Sequence, residues 1–157
     1  MLLAVTGDTH GKIIKIRDEL KKRKIEGLFF TGDYYKDGAQ IARFLKVPFF
    51  CGVPGNCDSS SRRKTEQIKQ LEGVKFYLVH GHQYRVKTSL NALFLRGQEV
   101  GAEVVLFGHT HIPFCEKIEG MWMINPGSPS LPRSAAGGSF ILAELNNSVF
   151  NPQLIML

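Results

Sequence analysis

"VVLFGHTHIP", Val104 to Pro113, is an apolar, β-favouring run that breaks at a glycine into two histidines separated by one threonine. The same arrangement recurs along the chain. "LLAVTGDTH" (2–10), "GLFFTGD" (27–33), "PFFCGVPGNCD" (48–58) and "KFYLVHGH" (75–82) each carry polar residues just past an apolar run. Between these runs lie segments read as helices, "KIIKIRDELKKRK" (12–24), "AQIARFLK" (39–46), "SRRKTEQIKQL" (61–71) and "SLNALFLRGQEV" (89–100). In the first of them Ile13, Ile16 and Leu20 recur at helical spacing. Strands alternating with helices predict a mainly parallel sheet with crossover helices. In such sheets ligands sit outside the carboxyl ends of the strands.

Beyond residue 107 the texture changes. "MWMINPGS" (121–128) and "SFILAEL" (139–145) read as successive strands, joined by a Pro/Gly loop (126–138) with no helix between them. This β-rich close is expected to add antiparallel strands in a second sheet. At 157 residues, with 43% hydrophobic and 22% charged residues, the chain is expected to form a single domain, 1–157. "MLLAV" is too short an apolar start for a secretory signal, and no apolar run approaches the roughly 20 residues that span a bilayer. Cys51, Cys57 and Cys115 are odd in number and lack CxxC spacing, which argues against a disulfide framework and for a reducing cytoplasm. The net charge of +6 is concentrated in "KKRK" (21–24) and "RRK" (62–64), read as solvated helix faces. A nucleic-acid partner is the less favoured reading, because no aromatic interleaving accompanies the charge.

The strand ends collect Asp8, His10, Asp33, Asn56, Cys57, Asp58, His80, His82, His109 and His111. That set holds all five histidines and three of the five aspartates. Singly, each is an ordinary turn or cap residue. Five unrelated turns have no shared reason to gather every imidazole. Carboxylate, imidazole and amide donors together suit Mn²⁺, Fe²⁺, Zn²⁺ or Ni²⁺. There are too many donors for one tetrahedral ion, but two ions about 3.5–4 Å apart, bridged by a carboxylate, account for the number. Two divalent cations outweigh two carboxylates, so the site should draw in an anionic phosphate ester for attack by a metal-bridging hydroxide.

"DTH" (8–10), "GD" (32–33), "GNCD" (55–58), "HGH" (80–82) and "GHTH" (108–111), with the tail "NPGSPSLPR" (125–133), make the chain resemble the calcineurin-like metallophosphoesterases. The likeness is to the small bacterial and archaeal phosphodiesterases with a GNCD motif. It implies a four-layer α-β-β-α sandwich of two mixed β-sheets flanked by helices. It also implies that Asp8, His10 and His111 hold one metal and that Asn56, His80 and His109 hold the other. Asp33 would bridge the two, and Asp58 would orient its neighbours. Catalysis is expected from Asp8, Asp33, Asn56 and His80, with two divalent ions, manganese first and nickel, iron or zinc as alternatives. The expected substrate is a small phosphate ester, with no membrane partner and an open oligomeric state. Many relatives carry His where this chain has Cys57, a weaker proton donor, which leaves His82 or water as alternatives. The competing readings are a protein-interaction scaffold on the same fold and a nuclease acting on RNA or DNA. Loops 34–38, 83–88 and 126–138 are expected to shape the rim of the site.

Overall fold

A computed structural model of the chain describes residues 1–58 and 62–157. Its strands are β1 (Leu2–Thr6), β2 (Gly27–Phe30), β3 (Phe49–Gly52), β4 (Glu66–Leu71), β5 (Val74–Val79), β6 (Val104–Leu106), β7 (Pro113–Ile118), β8 (Met121–Pro126), β9 (Ser139–Asn146) and β10 (Val149–Met156). The α-helices among the described residues are α1 (Ile14–Lys21), α2 (Tyr35–Leu45) and α3 (Asn91–Glu99), with a short 3₁₀ turn at His82–Tyr84. None is long and apolar enough to cross a membrane.

The strands form two five-stranded mixed sheets, ordered β10-β9-β1-β2-β3 and β4-β5-β6-β8-β7. In the first, β1, β2 and β3 run parallel while β9 and β10 are antiparallel. In the second, β5, β6 and β8 run parallel, with β4 and β7 as antiparallel edges. The closing β-rich segment therefore divides: β7 and β8 join the second sheet, and β9 and β10 complete the first.

Side-chain alternation builds the layers. Leu3 and Val5 of β1, Phe76 and Leu78 of β5, and Val104 and Leu106 of β6 share one apolar cluster between the sheets. Ala4 packs outward with Ile16 and Leu20 of α1 and Ile41 of α2. Tyr77, Val79 and Val105 pack outward with Leu93 of α3. With both faces covered, these strands read as unbroken apolar runs. The result is a sandwich of two sheets flanked by helices.

One segment read as helix is a strand. Within 61–71, Glu66–Leu71 is β4, paired antiparallel with β5, while residue 61 lies outside the described residues. Its Lys, Glu and Gln favour helix intrinsically, but the run sits at a sheet edge, where polar residues face water. The turn after it decides the outcome. Glu72 and Gly73 both have positive φ, and Leu71 pairs with Val74, the signature of a two-residue hairpin. Hence "RRK" lies on no helix. Glu119-Gly120 and Asn147-Ser148 make the same kind of turn and close the hairpins of β7 and β10, strands that the sequence reading did not identify.

Gly38 shows how closely α2 rests on β2. A Cβ there would stand 2.4 Å from Cγ of the buried Phe30 ring. Gly38→Ala should lower unfolding stability by about 1–3 kcal/mol through overpacking, read as a lower urea midpoint at unchanged m-value.

Candidate metal centre

Four of the parallel strands, β1, β2, β5 and β6, end at one place, and each turns sharply as it leaves its sheet. Asp8, His10, Asp33, His109 and His111 all adopt positive φ, between 46° and 69°. Left-handed backbone is costly for non-glycine residues, so surrounding contacts must hold it. Those contacts are present. The amide of Asp8 donates to Gly32 O at 2.8 Å, and the amide of His109 donates to the Asp8 carboxylate at 3.1 Å. Asn125 Nδ2 donates to Gly108 O and to Thr110 Oγ1, each at 2.9 Å, while Ser128 Oγ donates to Asp8 O at 2.7 Å.

Asp8, His10, Asp33 and His111 offer donor atoms that all lie within 4.8 Å of one another. His10 Nε2 and His111 Nε2 face each other at 3.2 Å. His111 Nε2 lies 3.4 Å from Asp8 Oδ1, and His10 Nε2 lies 3.5 Å from Asp33 Oδ2. On the other side, Asp33 Oδ1 lies 3.4 Å from His80 Nε2, which is 3.1 Å from Asn56 Oδ1. His109 belongs to this second side. Its ring stands against His80 and His82, with centroids 5.1 and 6.0 Å away. The two histidines of "GHTH" thus face different neighbours, and Asp33 presents one oxygen to each group.

The donor chemistry fits a cation. His80 donates Nδ1–H to Thr31 O at 2.8 Å, and His111 donates Nδ1–H to Leu131 O at 2.8 Å. Carbonyl partners select the tautomer and leave each Nε2 with a lone pair aimed inward. Burial would raise the Asp33 carboxyl, but His80 and the Cys57 amide, 2.9 Å away, overcome it and hold Asp33 below the carboxylate range. The hydrogen bond to Asp8 raises the His111 imidazole, a sign that positive charge is favoured there. Burial, then His80 and Lys87, lowers His109 to about 4, so it is a neutral imidazole near pH 7.

The remaining sequence candidates take supporting places. Asp58 accepts from Tyr35 N and Gly55 N, both at 2.8 Å, and so ties the GNCD loop to the start of α2. Cys57 is exposed beside Asn56, whose Nδ2 lies 3.6 Å from its Sγ. His82 is half-buried, and its Nδ1 has no hydrogen-bond partner. Residues that sequence reasoning missed act mainly through backbone or by bracing loops. Thr31 and Leu131 offer only carbonyl oxygens, while Asp37 accepts from Thr9 Oγ1 at 2.7 Å and from Gly11 N at 2.8 Å. Asn125 and Ser128 carried a sequence signal in "NPGSPSLPR", although no role followed from it.

A carboxylate–imidazole cluster at the strand ends of a double-sheet sandwich is a donor set that could hold a metal ion. The chain belongs to the calcineurin-like phosphoesterase superfamily, whose domain model matches residues 1–148. It is 31% identical over 147 residues to the probable metallophosphoesterase YsnB of Bacillus subtilis, covering 94% of this chain and 86% of that protein. Phosphodiesterase YfcE of Escherichia coli is 32% identical over 107 residues, covering 63% of this chain and 53% of YfcE. Among solved structures, wild-type Vps29 of Entamoeba histolytica complexed with zinc superposes with a TM-score of 0.80 at 23% identity. That match covers 99% of this chain and 98% of the other, and it establishes similarity of fold.

Gly55 tests the cradle without altering a donor. A Cβ there would lie 2.0 Å from Asp33 Oδ1. Mn²⁺ should raise the melting temperature of the parent protein in a concentration-dependent way, and Gly55→Ala should shift that response to at least about tenfold higher Mn²⁺. An unchanged response would show that Asp33 is not held as described.

Proposed function

We propose that the chain is a cytoplasmic, dinuclear-metal phosphodiesterase acting on a small phosphate ester. The observation that carries this reading is the division of Asp33, Oδ2 toward His10 and Oδ1 toward His80. Asp8, His10 and His111 would hold one ion, and Asn56, His80 and His109 the other, with Asp33 between them. Oxygen and nitrogen donors in this proportion suit manganese first, then nickel, iron or zinc. Bound there, two divalent ions supply Lewis acidity to the phosphoryl oxygens and lower the pKa of water. The free thiols of Cys51, Cys57 and Cys115 fit a reducing compartment.

The chain's own residues set the rest. Asp8 and His111 are buried, and His10 is partly exposed, so substrate approaches from the side of His10, Asn56 and His109. In hydrolysis a water oxygen bonds to phosphorus, the ester P–O bond breaks, and the departing alcohol must gain a proton. Partial desolvation of this largely exposed side chain, reinforced by Asp33, raises the Cys57 thiol to about 11, far from the range of an effective general acid at neutral pH. Burial and then His80 lower the His82 imidazole, which weakens its claim to supply that proton. Without a strong acid at hand, the site favours esters whose alcohols leave readily.

A grid of metals against mono- and diester p-nitrophenyl compounds tests the reading. Diester hydrolysis with Mn²⁺, two bound ions per chain by elemental analysis, and at least about a hundredfold loss in Asp33→Asn are expected. No hydrolysis of any ester with any metal would leave the scaffold reading in its place. Cys57→Ser should leave kcat within about threefold of the parent, because a loss of the general-acid size, about a hundredfold or more, would assign the proton to Cys57.

A further inference from the structure

Beside the centre lies a groove of about 440 Å³, walled by Leu90, Phe107, Ile112 and Phe114 and rimmed by Lys87 and Arg133. Its place is fixed by the site itself. Phe107 leads into the "GHTH" turn, Ile112 follows His111, and the Arg133 amide donates to His111 O at 3.1 Å. Lys87 lines the same groove as Thr110, the residue between the two histidines of "GHTH".

The groove brings apolar surface and positive charge together. Ile112, directly after a buried histidine, is 51% exposed and Phe114 is half-buried, while the Phe107 ring, 6.5 Å from that of Phe114, is buried. Lys87 and Arg133 have no ion-pair partner among the described residues, so both charges are open to an anion, unlike those of Arg23 and Arg96, which meet Glu19 and Glu99. Thr110, the groove's hydroxyl, is already engaged with Ile112 and Asn125. The recognition chemistry is therefore an apolar slot and two cations, with no polar group free to read a sugar hydroxyl through Thr110.

We propose that this groove holds the organic arm of the phosphodiester substrate, and that this arm is a flat apolar group of nucleobase size carrying a second anionic group. The inference rests on the phosphodiesterase reading above and names its substrate class. The volume is within the range of small-molecule sites, which are apolar with a few placed polar groups. Ile112 and Phe114 meet the flat face. Lys87 and Arg133 meet the second phosphate, and Arg offers it a bidentate fork. A nucleotide-derived diester bearing one further phosphate has this chemistry.

The test keeps the leaving group constant. Three esters of p-nitrophenol are compared with Mn²⁺ supplied: methyl p-nitrophenyl phosphate, phenyl p-nitrophenyl phosphate, and thymidine 3′-phosphate 5′-(p-nitrophenyl phosphate). KM should fall about tenfold from methyl to phenyl, the size expected for burying a few apolar carbons, and about tenfold again with the second phosphate. The readouts are the KM ratios, with kcat nearly constant across the series. Ile112→Ala should bring the phenyl-to-methyl ratio close to one. Lys87→Gln with Arg133→Gln should erase the gain from the second phosphate. Ratios near one in the parent, or ratios that these substitutions leave unmoved, overturn the groove's role. If no ester is hydrolysed, the phosphodiesterase reading has failed, and calorimetric titration of thymidine 3′,5′-bisphosphate into the metal-free protein still reads the groove. Binding that Lys87→Gln with Arg133→Gln abolishes supports it, and absence of binding overturns it.

Discussion

Asp8 and Asp33 are 0% and 2% exposed, two carboxylates sealed at the end of one sheet, and the rest of the site exists on that condition. Burying a carboxylate is costly unless it is paired and hydrogen-bonded. The backbone supplies part of the compensation through the amides of His109 and Cys57, and the imidazoles of His111, His80 and His10 supply more. What remains is a pronounced preference for positive charge. The family membership and the donor set fit a metal ion as the source of that charge.

This condition explains why the motifs could be read before the fold was seen. Residues that must converge on a buried anionic point cannot be scattered, and a parallel sheet gives them one edge to occupy. Asp8, Asp33, His80 and His109 each come one to three residues after a strand, so the alternation of apolar runs and polar tails carried their positions. The two-layer interior was legible for the same reason, since β1, β5 and β6 are apolar on both faces. What stayed hidden had no side-chain signal. Thr31 O and Leu131 O set the imidazole tautomers, yet any residue has a carbonyl. The 61–71 segment failed because an edge strand in contact with water has the composition of a polar helix. β10 was obscured further by Pro152, which breaks the usual strand pattern.

The rim was half legible. Loops 83–88 and 126–138 contribute Lys87 and Arg133 to the groove, as their place after strand ends suggests. The stretch 34–38 does less: the exposed Tyr34 ring lies 5.3 Å from that of His10, and the remainder has another role. Tyr34 takes left-handed backbone and α2 starts at Tyr35, so most of this stretch is spent on helix. Asp58 holds that start through the Tyr35 amide, which couples the GNCD loop to the helix rather than to substrate.

The left-handed turns give the site its stiffness, and stiffness bears on chemistry. Each of the five strained residues lies in the turn that follows a strand and meets a contact from a distant part of the chain, such as Ser128 to Asp8 or Arg133 N to His111 O. A donor held this way does not relax to suit a different coordination geometry, so the cost of ordering the donors is met during folding instead of at each binding event. The same locks run through residues 125–133, the segment that also lends Arg133 to the groove. Position of the donors and position of the groove's cation are thus consequences of one loop, and a change that loosens it should disturb both together.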